Sequence, residues 1–548
     1  MNYPSRNFIA SQPCQASKRI MQLFNPSAQS QLVEQAIEEK LAVLAQAFLH
    51  ENLSTTDIDF EHLMERFSDS ELPRAPFEFE QYFPSLAEDI VTHAVHTSSP
   101  RFIGHMTSAL PYFVRPLAKL VTALNQNAVK VETAKSLSPC ERQSLGRMHR
   151  LIYQYSTDFY KQHIHNHQST LGILVSGGTV ANITALWCAR NNALGARGKF
   201  AGVEQEGLSA ALSFYGYKGA TIIGSNLMHY SFDKAADLLG IGSQNLIKIP
   251  VDDRNHIDLK LLHQAVLHCQ SQRKLILAII GIAGTTDAGG IDPLHDIASI
   301  ARSAKTHFHV DAAWGDPLLF SRQHRHKLAG IEQADSVTID GHKQMYLPMG
   351  IVMVFFRNPH LAKAIEKSAS YTIRNGSLDL GKRSLEGSRP GMALFLHAAL
   401  NLIGVEGYEF LIDEGLRKTQ YMAERIRTMP EFELIAKPDI NLLVYQYIPE
   451  PFRERATHKQ LIKSDYCVIS RFNERLQKVQ RQVGRTFISR TVKSIRHFDQ
   501  EVTIVALRAV LANPLTSETD IDAVLDDQLQ IAARLEIETS LEGPVRVV

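Results

Sequence analysis

The chain lacks an excess of charge of either sign. Its 58 lysines and arginines against 57 aspartates and glutamates leave a formal charge of +1 at pH 7. It therefore offers no general attraction to nucleic acid or to an anionic membrane, and any anion site has to be local. Cysteine is sparse. Cys14, Cys140, Cys188, Cys269 and Cys467 are odd in number, widely scattered and without CxxC spacing, which argues against a disulfide framework or a zinc site and fits a reducing cytoplasm. No apolar run reaches the roughly 18 residues that a membrane span needs, and the opening MNYPSRNFIASQPCQASKRI has no continuous apolar stretch of the signal-peptide kind. Internal repeats and low-complexity tracts are also missing. The expectation is a soluble cytoplasmic protein.

What is present is a length of 548 residues, 44% of them hydrophobic, enough for two or three structural units because single cores stop growing at roughly 250–300 residues. Residues 1–99 read as a helical N-terminal extension, with apolar positions at helical spacing in SQLVEQAIEEKLAVLAQAFLH (30–50). Across 100–400, short apolar runs alternate with helical ones: LGILV (171–175), ATIIG (220–224), KLILAIIGIA (274–283), HFHVDAA (307–313), SVTID (336–340) and GIVMVFF (350–356). That alternation predicts an α/β fold, with a mostly parallel sheet covered on both faces and ligands bound at the carboxyl ends of its strands. Residues 401–548, with the strand-like INLLVYQYI (440–448), read as a smaller α+β unit.

The chemistry-bearing clusters each follow one of these strands. In VSGGTVANITALW (175–187), Gly177 and Gly178 let backbone approach an anion, the start of the following helix favours a phosphate, and Thr179 adds a hydroxyl. A tight strand-to-helix connection explains the glycines equally well. In HFHVDAAWGDP (307–317), Asp311 ends an apolar strand, where a desolvated carboxylate needs a cation or strong donors. It is either a helix cap or ion-pair partner, or it is held against a protonated ring nitrogen, with the small Ala313 leaving room for a flat ring. In SVTIDGHKQMYLPMG (336–350), Lys343 sits among Met345, Tyr346, Leu347 and Met349, surroundings that favour the free amine able to attack a carbonyl. Its alternative is a lysine whose stem reaches out to water. A phosphate cradle, a carboxylate for a ring nitrogen and a buried amine are together the needs of pyridoxal 5′-phosphate. His229, after strand ATIIG, is placed to stack on such a ring, and Thr285 and Thr286 in GIAGTTDAGGIDPL (281–294) offer hydroxyls to a ring oxygen.

The ordered motifs SGGTVAN, the His229 segment, GTTDAGGIDPL, HVDAAWGDP and DGHK resemble those of the group II pyridoxal-phosphate decarboxylases, which include glutamate, aromatic amino acid and diaminobutyrate decarboxylases. The resemblance runs from SSPRFIGHMTSALP (98–111) to ANPLTSETDID (512–522). It implies a fold of the aspartate-aminotransferase type and a homodimer. It implies that Lys343, with His342 beside it, binds the cofactor aldehyde, that Asp311 pairs with the pyridine nitrogen, and that His229 stacks on the ring. Thr286 then approaches the ring oxygen, Gly178 and Thr179 hold the phosphate, and Arg508 grips the substrate α-carboxylate. The other reading of Arg508 is a surface arginine paired with an acid such as Glu501. Relatives carry a tyrosine on a mobile loop that returns a proton to carbon; the matching segment here, 370–391, is shorter and has only Tyr371, with His229 or Lys343 as other proton sources. Within the family the long extension and SRPGMALFLHAALNLIG (388–404) most resemble the bacterial aspartate 1-decarboxylases, implying β-alanine production for pantothenate and coenzyme A. Glutamate and diaminobutyrate are the other substrates to weigh, since one methylene is worth only about 1–3 kcal/mol of discrimination. A cofactor-binding protein without turnover is the reading from a different class, disfavoured by Arg508, and an aminotransferase is disfavoured by the motif order.

Overall fold

The structure, a computed structural model, describes residues 20–24, 27–369, 376–497 and 500–541. The chain divides into two compact units, 1–96 and 97–548. In the first, the helix Ala28–Leu49 starts where Ser27 Oγ accepts from the Ser30 amide at 3.1 Å, and none of its residues is buried. Two short helices, Phe60–Arg66 and Phe79–Ser85, follow.

The second unit is built on a seven-stranded sheet: β1 (Gly172–Val175), β2 (Gly219–Ser225), β3 (Leu246–Ile249), β4 (Lys274–Ile282), β5 (His307–Asp311), β6 (Ser336–Asp340) and β7 (Val352–Phe356). Its order is β1-β7-β6-β5-β4-β2-β3, and β7 alone runs against the rest. The mostly parallel α/β sheet read from the alternating runs is therefore present. The sequence explains the elements locally. In β4, KLILAIIGI is rich in β-branched residues and is buried along nearly its whole length, as a strand covered on both faces must be. The helix Leu259–Ser271 begins at Asp258, whose carboxylate accepts from the Lys260 and Leu261 amides at 2.9 and 3.0 Å. It buries Leu262, Val266 and Cys269, one helical face. Each such side chain taken fully out of water contributes roughly 1.5–3 kcal/mol. The helix Leu294–Ala304 does the same with Leu294, Ile297, Ala298 and Ala301, and it ends at Lys305 in the left-handed region.

A second sheet, antiparallel throughout, has the order β10-β11-β9-β8, from β8 (Phe432–Leu434), β9 (Leu442–Tyr447), β10 (Ser489–His497) and β11 (Gln500–Val510). The helices Lys463–Val483 and Glu518–Leu541 pack with it. Among the described residues no single helix is long and apolar enough to cross a membrane.

One feature of β5 and β6 departs from the reading as plain apolar strands. Their side chains alternate: His307, His309 and Asp311 on β5 and Ser336, Thr338 and Asp340 on β6 share one face, with Phe308, Val310, Val337 and Ile339 on the other. Apart from the partly exposed His307, the polar face is buried all the same, because the helix Gly178–Ala193 packs over it.

Candidate active site

The carboxyl ends of β1, β5 and β6 bring the candidate residues together through the start of that helix. At Gly178 an added Cβ would lie 3.0 Å from Asp340 Oδ1, so the helix start is pressed against the carboxylate that ends β6. The same carboxylate holds Lys343, whose Nζ stands 2.8 Å from Asp340 Oδ2. One turn further along the helix, Asn182 Nδ2 donates to Asp311 Oδ2 at 3.0 Å, and the Ala313 amide donates to Asp311 Oδ1 at 3.2 Å. Glycine-rich helix start, amine and carboxylate thus meet around one space. Among the described residues nothing lies within 4 Å of where a Cβ on Gly177 would stand, and no side chain caps the helix.

Electrostatics differ from the sequence expectation at one point. Lys343 was expected among apolar side chains. Met345, Tyr346 and Leu347 are indeed buried beside it, but its amine is ion-paired with Asp340, because the turn after β6 folds the lysine back over the strand end. Burial pushes the Asp311 carboxyl upward, opposed by the Lys343 charge and by the donors from Asn182 and Ala313. His229 is half-buried, which holds its imidazole below the usual range. Its Nδ1 accepts from the Ser231 amide at 3.2 Å, so in the neutral ring Nε2 carries the proton. His342 lies 3.6 Å from Asp340 through Nε2, and burial lowers it as well.

Arg508, on β11, is buried. Its Nε donates to the Thr286 carbonyl at 2.8 Å, and one terminal nitrogen donates to the Gly104 carbonyl at 3.2 Å and to Ser489 Oγ at 3.0 Å. The alternative of a surface arginine paired with Glu501 is not what the fold builds. Burial lowers its guanidinium to about 10, with Asp287 as the nearby charge that opposes the shift. Gly104 is required there, since a Cβ would come within 2.4 Å of the Ile488 carbonyl carbon and the Ser489 nitrogen. Thr285 is spent on structure, its hydroxyl accepting from the Gly290 amide at 3.0 Å, whereas Thr286 is exposed. Tyr371 lies outside the described residues.

Several groups at the site were not singled out from sequence: Asp340, Asn182 as a donor, Gly104, His105 and Lys493. His105 follows Gly104, and burial together with the Arg508 and Lys343 charges lowers it. Lys493 donates to Asn255 and is pushed by burial to about 8, opposed by Asp287. The available signal for Asp340 was its place in DGHK, three residues before the lysine.

A pyridoxal cofactor can be tested against this arrangement on the polar atoms the fold leaves over. Thr338 Oγ1, Asp340 Oδ1 and His342 Nδ1 are buried with no hydrogen-bond partner among the described residues, and all belong to β6 or the turn after it. Buried polar atoms are normally paired, so this edge is shaped for a polar group. With an amine, a buried carboxylate and an uncapped glycine helix start around it, the donor set fits a pyridine ring carrying an aldehyde and a phosphate.

Chains of this architecture with a lysine, a strand-end carboxylate and a glycine cradle around one space form a class of cofactor-dependent enzymes. The chain belongs to the pyridoxal-dependent decarboxylases, whose conserved domain matches residues 61–448. It is 44% identical over 508 residues to an aspartate 1-decarboxylase of Aliivibrio fischeri, covering 92% of each chain. It is 26% identical over 384 residues to an L-2,4-diaminobutyrate decarboxylase of Acinetobacter baumannii, covering 68% of this chain and 72% of that one. The crystal structure of mouse CSAD superposes with a TM-score of 0.80 at 22% identity over 93% of this chain and 99% of that one, a likeness of fold. The protein is a pyridoxal-dependent decarboxylase, a carboxy-lyase.

Proposed function

We propose that the enzyme removes the α-carboxyl group of L-aspartate, giving β-alanine and carbon dioxide. The observation that carries the site assignment is the double contact of one helix start, Gly178 against Asp340 with its Lys343 partner and Asn182 against Asp311. The choice of aspartate rests on the extent of the likeness to the Aliivibrio fischeri enzyme.

In this reading Lys343 is the attachment point of the cofactor, with His342 beside it. Asp311 faces the ring nitrogen, Ala313 leaves space for the ring, and His229 covers its face. Thr286 lies toward the ring oxygen, and Gly177, Gly178 and Thr179 hold the phosphate at the helix start. Bound there, pyridoxal phosphate supplies the sink for the electron pair left when the carboxyl group departs. Arg508, held by three acceptors, takes a substrate carboxylate and fixes its orientation. Whenever its amine is free, Lys343 would have the Asp340 carboxylate, 2.8 Å away, placed to hold its ammonium form. For the proton returned to Cα, Tyr371 remains the sequence-based choice, with the Nε2 proton of His229 and the ammonium of Lys343 as the other sources.

We further propose a cytoplasmic homodimer supplying β-alanine for pantothenate and coenzyme A. The mutually packed helices Val114–Leu124 and Ala393–Leu402 leave Leu120, Leu124 and Leu402 exposed, apolar surface that a second copy would cover. The units 1–99, 100–400 and 401–548 then serve as extension, cofactor-binding part and small part.

The deciding experiment loads the purified chain with pyridoxal phosphate and compares amine products from aspartate, glutamate and diaminobutyrate. β-Alanine formed fastest is the expected result, and 4-aminobutyrate formed faster would overturn the substrate. Borohydride reduction followed by peptide mapping is expected to find the pyridoxyl group on Lys343, and its absence there would overturn the site.

A further inference from the structure

Behind Asp311 the buried polar face of β5 and β6 carries an unbroken chain of hydrogen bonds. Asn182 Nδ2 stands 3.0 Å from Asp311 Oδ2 and 3.0 Å from Ser231 Oγ. Asn182 Oδ1 stands 3.1 Å from His309 Nε2, His309 Nδ1 2.8 Å from Ser336 Oγ, and Ser336 Oγ 2.7 Å from His307 Nε2. Asn182, His309 and Ser336 are all but wholly buried.

The donors in this chain can be assigned from chemistry. An ionised carboxylate only accepts, so the atom of Asn182 that faces Asp311 is its NH2 and the atom that faces His309 is its oxygen. His309 must then carry its proton on Nε2. Burial holds that imidazole neutral, down at about 3, so Nδ1 is an acceptor and takes the Ser336 hydroxyl proton. The Ser336 oxygen in turn accepts from His307 Nε2. Every donor points toward Asp311, and bonds aligned in this way polarise one another in a buried setting. The same amide reaches His229, since Ser231, which accepts from Asn182, donates its backbone N–H to His229 Nδ1.

We propose that His309 is a positioning residue for the reaction: through Asn182 it fixes the orientation of the amide that donates to Asp311, and so keeps that carboxylate ionised and aimed at the ring nitrogen of bound cofactor. The proposal rests on the reading that Asp311 faces that nitrogen. Without His309 the Asn182 oxygen is left unpaired in the interior, and the amide loses the donor that holds it in the orientation Asp311 requires. The charged and titratable groups around the chain are Lys343, Asp340 and His229 near Asp311, and Asp335 and Arg357 near His307.

The test compares His309→Leu, His309→Gln, Ser336→Ala and Asp311→Ala. Cofactor affinity is read by titrating apoprotein with pyridoxal phosphate, and the pH midpoint of the bound cofactor's visible absorption is followed alongside the thermal midpoint of the apoprotein. His309→Leu is expected to weaken cofactor binding by about tenfold or more, in line with losses of outer-shell partners elsewhere, and to move the spectral midpoint by about one unit. The loss in turnover is expected in kcat, with KM for aspartate little changed. His309→Gln, which can still donate to Asn182, is expected to recover most of the affinity. A lower thermal midpoint with wild-type affinity and spectral midpoint would show a merely structural role and overturn the proposal. If His309→Leu does not fold, Ser336→Ala decides: a shift in the same direction supports the chain, and an unchanged spectrum overturns it. Asp311→Ala separates the two layers. Wild-type spectrum and turnover in that variant would sink the placement of Asp311 itself, whereas a disrupted Asp311→Ala beside an unaffected His309→Leu sinks only the role of His309.

Discussion

Lys343 Nζ and Asp340 Oδ2 stand 2.8 Å apart, with the aspartate side chain 4% exposed and the lysine 20% exposed. The lysine that marks the site is therefore half of a largely buried ion pair, and the pair sets what happens when either partner is removed. A buried charge left alone is far costlier than the pair it came from.

The first prediction follows from that pairing. Lys343→Ala is expected to abolish turnover and also to destabilise the apoprotein by about 2–3 kcal/mol, because Asp340 keeps its charge and loses its partner. Adding Asp340→Asn in the same chain removes the stranded charge and is expected to return most of that stability without returning activity. Urea denaturation of the three apoproteins measures it. A single lysine variant as stable as wild type would show that solvent or another donor already satisfies Asp340.

A second prediction concerns Gly104, whose carbonyl accepts from Arg508. An alanine Cβ there meets backbone atoms of Ile488 and Ser489 at 2.4 Å, and backbone does not yield as a flexible side-chain end does. Gly104→Ala therefore moves the loop that carries His105 and takes one acceptor from the arginine. We expect KM for aspartate, the proposed substrate, to rise about tenfold, the equivalent of one hydrogen bond to a charged group, with a smaller effect on kcat. Steady-state kinetics on a folded, cofactor-loaded variant separates the two. A change in kcat alone would place the loop elsewhere in the reaction.

How much of this was legible in the sequence varies residue by residue. Lys343 and Asp311 can be picked out because one sits just past a strand and the other ends one, each in a short ordered motif, and a charge at such a place needs a reason. Asp340 gives little signal of its own, because SVTID reads as an apolar run once valine and isoleucine are counted. Its meaning depends on Lys343 folding back and on Gly178 arriving from another strand. The histidines of HFHVD carry a period-two polar pattern that was visible but had no interpretation until Asn182 and Ser336 supplied the partners. Gly104 had no local signal at all, since what forbids a side chain there is β10, far along the chain. The mostly parallel sheet followed from the alternation of elements, while the order of the strands, the reversed β7 and the contacts between distant strands did not.

A third prediction uses the pair His256 and Asp439, 2.8 Å apart. The hydrogen bond that the His256 ring donates to Asp439 raises the imidazole above its usual value, against the opposing effect of burial. A histidine whose folded value is raised contributes stability that is fully present below the unfolded value of about 6.5 and is lost as pH rises through the folded value. Since both partners are partly exposed, the contribution is expected to be about 0.5–1 kcal/mol. His256→Gln should therefore be less stable than wild type near pH 5.5 and nearly equal to it near pH 8.5. Denaturation midpoints at the two pH values test this, and a deficit that persists unchanged at the higher pH would assign the effect to packing.

The last prediction concerns Asp316, in the turn that follows β5. It is wholly buried, and neither carboxyl oxygen meets a hydrogen-bond partner among the described residues. Burial pushes its carboxyl up to about 8. Below about pH 4, near the unfolded value, both folded and unfolded chains hold the proton and the group does not weaken the fold. Between there and the folded value the unfolded chain gives up its proton while the folded chain keeps it, so stability falls as pH rises. Asp316→Asn cannot ionise, and whatever its amide costs in the same place is independent of pH. The difference between wild type and variant should accordingly grow in the variant's favour by about 2 kcal/mol or more between pH 5 and pH 8. Urea midpoints of cofactor-loaded protein at the two pH values measure it, with the variant's own pH dependence as the reference. A difference that stays constant would mean that Asp316 is already ionised in the fold at pH 5 and is held by donors that stabilise its charge.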